Sequence, residues 1–171
     1  MAYRSDLLEG ITIDIPGRAP LHLTRLVLDY NGTMALDGSL LPGVIYRLES
    51  LLKKVYVDII TADTNNSVRD NLEWTGLSQR GVSIIRLSPG KNENDAKSDY
   101  VRAHDPKGCC AVGNGVNDEK MLNEAGLSVA VIGGEGCARE ALSAAMISVT
   151  NIEDALDLLL FPKRLVATLR Q

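Results

Sequence analysis

The residues of this chain that could do chemistry fall in short polar groups, each placed after an apolar run. Leu26 to Leu28 leads directly into Asp29, and Asn31, Gly32 and Thr33 then turn the chain. An acid at the carboxyl end of a buried strand stands where open α/β sheets bind their ligands. The glycine turn beside it leaves backbone N–H groups free to meet an anion. Thr61 follows a second run, Val55 to Ile60, rich in β-branched residues, and Asn114 with Asp118 lies in GNGVND after a third, Cys109 to Val112. Strand-end placement would bring all of these groups to one edge of a single sheet.

The elements that must hold them can be read from periodicity. Ile11 to Ile15 alternates apolar and polar residues, Pro16-Gly17-Arg18 turns, and Leu21 to Leu28 runs extended, which predicts a hairpin at the sheet edge feeding the central strand. Asp37-Gly38 marks a turn in a short Met34–Pro42 hairpin, and a helix is expected over Gly43–Lys54, with Val44, Leu48, Leu51 and Leu52 on one face. Helices are also expected over 67–77, 94–103, 118–125 and 138–145, alternating with strands over 55–60, 82–87, 109–112, 129–132 and 147–149. Asn151 should cap a last helix from Ile152 to about Leu169 that Pro162 kinks or splits. Trp74 and Tyr100 read as packing residues, His22 and His104 as surface or strand positions without partners, and Glu119 as an acid complementing a helix start. Such alternation with short joins predicts a mainly parallel sheet between two helical layers, a three-layer α/β/α Rossmann-like fold in one domain over residues 1–171.

Four pieces in this order, Asp29 in DYNGT, Thr61 in IITAD, Lys97 at a helix start beyond a polar loop, and GNGVND from Gly113 to Asp118, resemble the motifs of the haloacid dehalogenase-like phosphohydrolases. GNGVNDEKML is most similar to the soluble relatives of the P-type ATPase phosphorylation domain. The resemblance spans about Leu26 to Val149. It implies that Asp29 is a nucleophile forming an aspartyl-phosphate. It implies a Mg²⁺ ion held by Asp29, the backbone carbonyl of Asn31, Asn114 and Asp118, an all-oxygen set that suits a hard cation. Thr61 would donate to a phosphate oxygen, joined by backbone N–H groups around Gly32 and Ala62, and Lys97 would place a cation beside Asp29 and the transferred group.

Two departures qualify this. Many phosphatases of the family carry an acid two residues after the nucleophile; here that residue is Asn31. The first carboxylate of the last motif is replaced by Asn114. An amide cannot shuttle protons, which puts roughly 10²–10⁴-fold in rate at stake for poor leaving groups. The resemblance therefore implies a Mg²⁺-dependent phosphohydrolase that favours activated phosphate leaving groups. The alternative is a phosphate- and metal-binding or structural protein that kept the fold and lost efficient chemistry. A third reading, a partner module of an ion pump, has no membrane segment to support it. About 32 residues separate Asp29 from Thr61 and about 36 separate Thr61 from Lys97, gaps that ordinary sheet elements fill, so no cap domain is expected. Only the Met34–Pro42 hairpin could flap over the site.

Bulk composition agrees with this class. The 171 residues are 45% apolar and 23% charged with a net charge of −4, so no basic field argues for nucleic acid or an anionic membrane. Three cysteines, Cys109, Cys110 and Cys137, have no metal-ligand spacing and read as small hydrophobes in a reducing compartment. The N-terminus lacks the basic-then-apolar order of a signal peptide, which with the absence of a spanning segment leads us to expect a cytoplasmic protein acting on a phosphorylated substrate. Leu165-Val166 near the end is where a second subunit could dock.

Overall fold

The structure is a computed structural model that describes residues 8–62, 67–88 and 90–171. Its first element pair is the hairpin β1 (Ile11–Ile13) and β2 (Leu21–Leu23), antiparallel with Thr12 opposite His22. The expected continuous strand over 21–28 breaks at Thr24, whose N–H bonds the carbonyl of Gly108 and whose carbonyl accepts from Tyr56. The hairpin consequently forms its own two-stranded sheet and is not an edge of the main one.

The main sheet has six strands, all paired in parallel: β3 (Arg25–Asp29), β6 (Tyr56–Thr61), β7 (Val82–Arg86), β8 (Cys109–Gly113), β9 (Leu127–Val131) and β10 (Ile147–Val149). Their spatial order is β10-β9-β8-β3-β6-β7. The chain builds outward from β3 through β6 to β7, then crosses back to β8 on the other side of β3. The gap between the carboxyl ends of β3 and β8 is thus a topological switch point, the crevice where such sheets take ligands.

Side-chain alternation on β3 sorts the two faces. Leu26 and Leu28 are fully buried in a core shared with Val44, Leu48 and Leu51 of α1 (Val44–Leu51) and Leu156 and Leu159 of α7 (Ile152–Leu160), helices that pack on one another. Val27 faces the opposite layer with Ile60, Ala111, Val101 of α4 (Glu93–Ala103), Met121 and Leu122 of α5 (Glu119–Glu124) and Ala141 of α6 (Arg139–Ala144). Burying each large aliphatic side chain contributes about 1.5–3 kcal/mol. Arg25, Val27 and Asp29 share this second face, so the same alternation that buries Val27 aims Asp29 towards α4.

Between β3 and α1 the chain forms the expected short hairpin, β4 (Ala35–Leu36) and β5 (Ser39–Leu40). Asp37 and Gly38 both take positive φ (50° and 77°), the two-residue turn an Asp-Gly pair favours. The helix expected over 67–77 is two helices, α2 (Ser67–Glu73) and α3 (Leu77–Arg80), separated where Gly76 takes φ 72°. Trp74 corrects our reading as well. Val68 and Leu72 set the buried stripe of α2, Trp74 falls off it, and its side chain is 77% exposed. Asn92 and Asn151 cap α4 and α7, each accepting from the backbone N–H three residues on. Pro162 splits the last helix into α7 and α8 (Pro162–Leu169). The cysteines are free, with Cys109 and Cys110 buried. Among the described residues no helix is long and apolar enough to cross a membrane.

Candidate active site

Four elements supply the site. Asp29 ends β3 and is almost completely buried. Directly after it the carbonyl of Tyr30 accepts from the N–H groups of Thr33, Met34 and Ala35, a tight loop that needs Gly32 at φ 74°. A Cβ on Gly32 would lie 2.4 Å from Nδ2 of Asn114, so only glycine lets the two loops meet. Lys97 projects from α4 and is fully buried. Lysine is almost never buried unless paired, and here Nζ donates to Asp29 Oδ1 at 2.7 Å and Asp118 Oδ1 at 2.8 Å, with Glu93 Oε1 at 3.4 Å on the outer side. Lys97 therefore bridges the two strand ends that flank the switch point.

Asp118 is fully buried and organises its own loop. Its Oδ2 accepts from the backbone N–H groups of Asn114 and Gly115, each at 2.9 Å. Gly113 is required here, because a Cβ would meet the Asp118 carboxyl carbon at 2.5 Å. Asn114 is held from the other side: Nδ2 donates to the Gly136 carbonyl at 3.2 Å, and its own carbonyl accepts from Ala138. Pinning the amide nitrogen there turns Oδ1 towards Thr33, whose Oγ1 lies 3.1 Å away. Thr33 Oγ1 also lies 3.0 Å from Asp29 Oδ2.

The electrostatics follow from this crowding. Burial raises Asp29 from its ordinary 3.8 to about 7, the nearby Asp118 charge adds to the rise, and Lys97 and the Thr33 hydroxyl oppose it. For Lys97 burial pulls the other way, but the Asp29 and Asp118 carboxylates outweigh it and hold the ammonium above its usual range.

These residues also test the fit of a divalent cation. Thr33 has one hydroxyl proton, and the buried Asp29 carboxylate is the stronger acceptor. With that proton committed, Thr33 Oγ1 and Asn114 Oδ1 face each other as two acceptors, an arrangement that suits a cation. The available donors are oxygens only, the preference of a hard cation. No group of three His, Cys, Asp or Glu that could hold a metal occurs among the described residues, so such an ion would rely on amide and carbonyl oxygens beside two carboxylates.

Thr61 is buried at the end of β6, one residue beyond Ile60, the pairing partner of Asp29, and Ala62 is exposed just past it. Asp63 lies outside the described residues. Asn31 is exposed on the rim of the loop that follows Asp29. The fold thus gathers Asp29, Lys97, Asn114 and Asp118 through direct or one-residue contacts, places Gly32 and Asn31 on the adjoining loop, and leaves Thr61 at the end of the neighbouring strand. The sequence reading credited Thr33 only with turn geometry; its hydroxyl touches both Asp29 and Asn114, and its position four residues after the acid, in a loop closing back on it, was the available signal. Glu93 was also missed, although it sits one helical turn before Lys97. His104 is corrected too: it ends α4 with its ring 4.2 Å from that of Tyr100 and Nδ1 2.8 Å from the Tyr100 carbonyl.

No family model matches the chain. A 3-deoxy-D-manno-octulosonate 8-phosphate phosphatase from Moraxella catarrhalis, solved with magnesium, phosphate and KDO, superposes with a TM-score of 0.64 at 17% identity, covering 86% of this chain and 94% of that one. The chain has the haloacid dehalogenase-like fold. A haloacid dehalogenase-like family hydrolase from Streptococcus pneumoniae gives a TM-score of 0.62 at 14% identity over 79% of this chain and 97% of its own. The cobalt-bound deoxy-D-mannose-octulosonate 8-phosphate phosphatase of Haemophilus influenzae gives 0.63 at 12% identity over 87% and 94%. In sequence, the uncharacterized protein MJ0073 of Methanocaldococcus jannaschii is 50% identical over 60 residues, 35% of this chain; the match spans 64% of that protein's length.

Proposed function

We propose that this chain is a phosphohydrolase in which Asp29 attacks the phosphorus of a phosphorylated small molecule. The observation that carries the reading is the buried Lys97 bridge between Asp29 and Asp118 at the switch point of a haloacid dehalogenase-like sheet. A bond forms between an Asp29 oxygen and phosphorus, the ester bond to the leaving oxygen breaks, and water then hydrolyses the aspartyl-phosphate. Lys97 fixes the Asp29 rotamer and offsets negative charge as the phosphoryl group arrives. Thr61 and the N–H groups near Gly32 and Ala62 bind the phosphoryl oxygens. Asp29, the Asn31 carbonyl, Asn114 and Asp118 would hold Mg²⁺, which supplies charge neutralisation and orientation of the phosphate. The magnesium- and cobalt-bound phosphatases of the same fold support a divalent ion in this reading.

Asn31 offers no proton to the leaving oxygen, so aryl phosphates and anhydrides, which leave without one, are the favoured substrates. Turnover of p-nitrophenyl phosphate that requires Mg²⁺ and is abolished by Asp29→Asn tests the reading, with a stopped-flow burst expected if dephosphorylation is the slow step. The same exposed amide at Asn31 favours one rival, a phosphate-binding protein without efficient chemistry. Residual turnover equal in native and Asp29→Asn protein would select that rival.

A further inference from the structure

Helix α4 is tied to its surroundings at two points about one turn apart. Lys97, its fifth residue, reaches Asp29 and Asp118 at the carboxyl edge of the strands. Three residues later Tyr100 Oη donates to Asp58 Oδ2 at 2.9 Å. Asp58 lies inside β6, is only 2% exposed, and precedes Thr61 by three residues. The same Oδ2 accepts from Nη1 of Arg25, the first residue of β3, whose last residue is Asp29. Arg25 in turn lies over the Tyr56 ring at 4.9 Å. One buried carboxylate thus joins the strand that carries Asp29, the strand that carries Thr61 and the helix that carries Lys97.

A carboxylate in the middle of a strand is costly to bury, and it persists here because a guanidinium and a phenol satisfy it. What the junction supplies is direction. Just beyond the second tie α4 places Val101 in the buried apolar cluster that also holds Val27 and Ile60 of the sheet, packing that sets separation but not position along the helix axis. A hydrogen bond to a charged acceptor does set it, because its strength falls steeply with distance and angle. The Tyr100 ring is steadied by His104 at 4.2 Å, and the His104 carbonyl accepts from Cys109 Sγ at 3.2 Å, so the C-terminal end of α4 is also fastened to β8.

We propose that Tyr100, acting through Asp58 and Arg25, is a positioning residue that fixes the axial placement of α4 and hence the Nζ of Lys97 between Asp29 and Asp118. The proposal rests on the phosphohydrolase reading above. A misplacement of about 1 Å can cost on the order of 10² in rate; loss of one of several restraints should lower kcat by about 3- to 10-fold.

The test is a double-mutant cycle on p-nitrophenyl phosphate turnover with Mg²⁺. Tyr100→Phe keeps the ring and its stacking while removing the hydroxyl. It should lower kcat by that factor with KM unchanged within about two-fold. In a Lys97→Met background the same change should have no further effect, because the group being positioned is gone. Asp58→Asn, which removes the charge while keeping an acceptor oxygen for Tyr100, should recover most of the kcat that Asp58→Ala loses. Asp58→Ala, which removes that acceptor, takes the place of Tyr100→Phe in the cycle should the latter melt below the assay temperature. A wild-type kcat in Tyr100→Phe, or an equal loss with and without Lys97, overturns the proposal. If Asp29→Asn leaves turnover intact, the phosphohydrolase reading itself fails; if Asp29→Asn abolishes turnover while Tyr100→Phe is silent, only the positioning role fails.

Discussion

The ionisation of Asp29 makes a stability prediction that runs opposite to the usual carboxylate. Its native pKa, about 7, lies above the unfolded 3.8 because burial and Asp118 disfavour the charge. Between those values the native state binds more protons than the unfolded chain, so stability must fall as pH rises. The contribution is fully present below pH 4 and is lost by about pH 7. The difference of about three pH units corresponds to up to about 4 kcal/mol, at about 1.4 kcal/mol per pH unit across the window. Asp29→Asn removes this term while keeping the shape of the group. Urea unfolding of metal-free protein at pH 4.5, 5.5, 6.5 and 7.5 should therefore show the variant gaining on the native protein at each step towards neutral pH. Comparing the two proteins cancels the titrating groups remote from Asp29, notably Asp157, which Arg47 holds below its ordinary value and whose contribution runs the opposite way. A native-minus-variant difference that is flat, or that rises with pH, would refute the argument.

Other outcomes follow from the same geometry. Mg²⁺ should stabilise the native protein more at pH 7.5 than at pH 5, since a cation offsets the Asp29 charge only where that charge exists; equal shifts in melting temperature at both pH values would count against the site. Asn31→Asp should raise kcat on alkyl phosphates by about 10-fold or more while changing p-nitrophenyl phosphate turnover little, measured as the ratio of the two rates. Gly32→Ala forces a Cβ to within 2.4 Å of the Asn114 amide from a left-handed backbone and should cost at least about 1 kcal/mol in denaturant unfolding along with most activity. Arg47 binds Asp157 through two nitrogens, at 2.7 and 3.2 Å, across the α1–α7 contact. Arg47→Met should cost about 2–4 kcal/mol at pH 7. Because Asp157 is depressed by Arg47, its share of that stability is present above the unfolded value of 3.8 and fades as pH falls through the lower native one.

The strand ends were legible because each follows a run that is wholly or, before Thr61, mostly apolar and leads into a turn, a purely local signal. Asp29, Thr61 and Asn114 could be placed on one edge from that alone. Lys97 could not. Its own helix is polar, and its complete burial depends on two strand ends distant in the chain closing over it, which no window around residue 97 contains. The split at Gly76 was missed for a related reason: helical spacing persists across it, and a left-handed glycine is invisible to periodicity. The Asp58 junction was hidden because an acid inside VYVDII reads as a polar interruption until Arg25 and Tyr100 arrive from elsewhere.

The two asparagines that depart from the motif gain a coherent meaning from the charge count around Lys97. Asp29 and Asp118 carry two negative charges and Lys97 one positive, so with both acids ionised the buried cluster is at −1. A carboxylate at 114 would add a charge beside that cluster and one at 31 another on its exposed rim, bringing the site to −3 beside an incoming phosphate dianion. On the proposed reading, asparagine at both positions lowers the repulsion met by that dianion, weakens the hold on a divalent ion and removes the proton donor. The site should therefore bind inorganic phosphate with little dependence on Mg²⁺ but turn over esters only with it. Asn114→Asp separates these effects. It should tighten Mg²⁺, read by titration of the melting temperature, and weaken phosphate binding in the metal-free protein. If both affinities move in the same direction, the charge balance is not what asparagine at 114 controls.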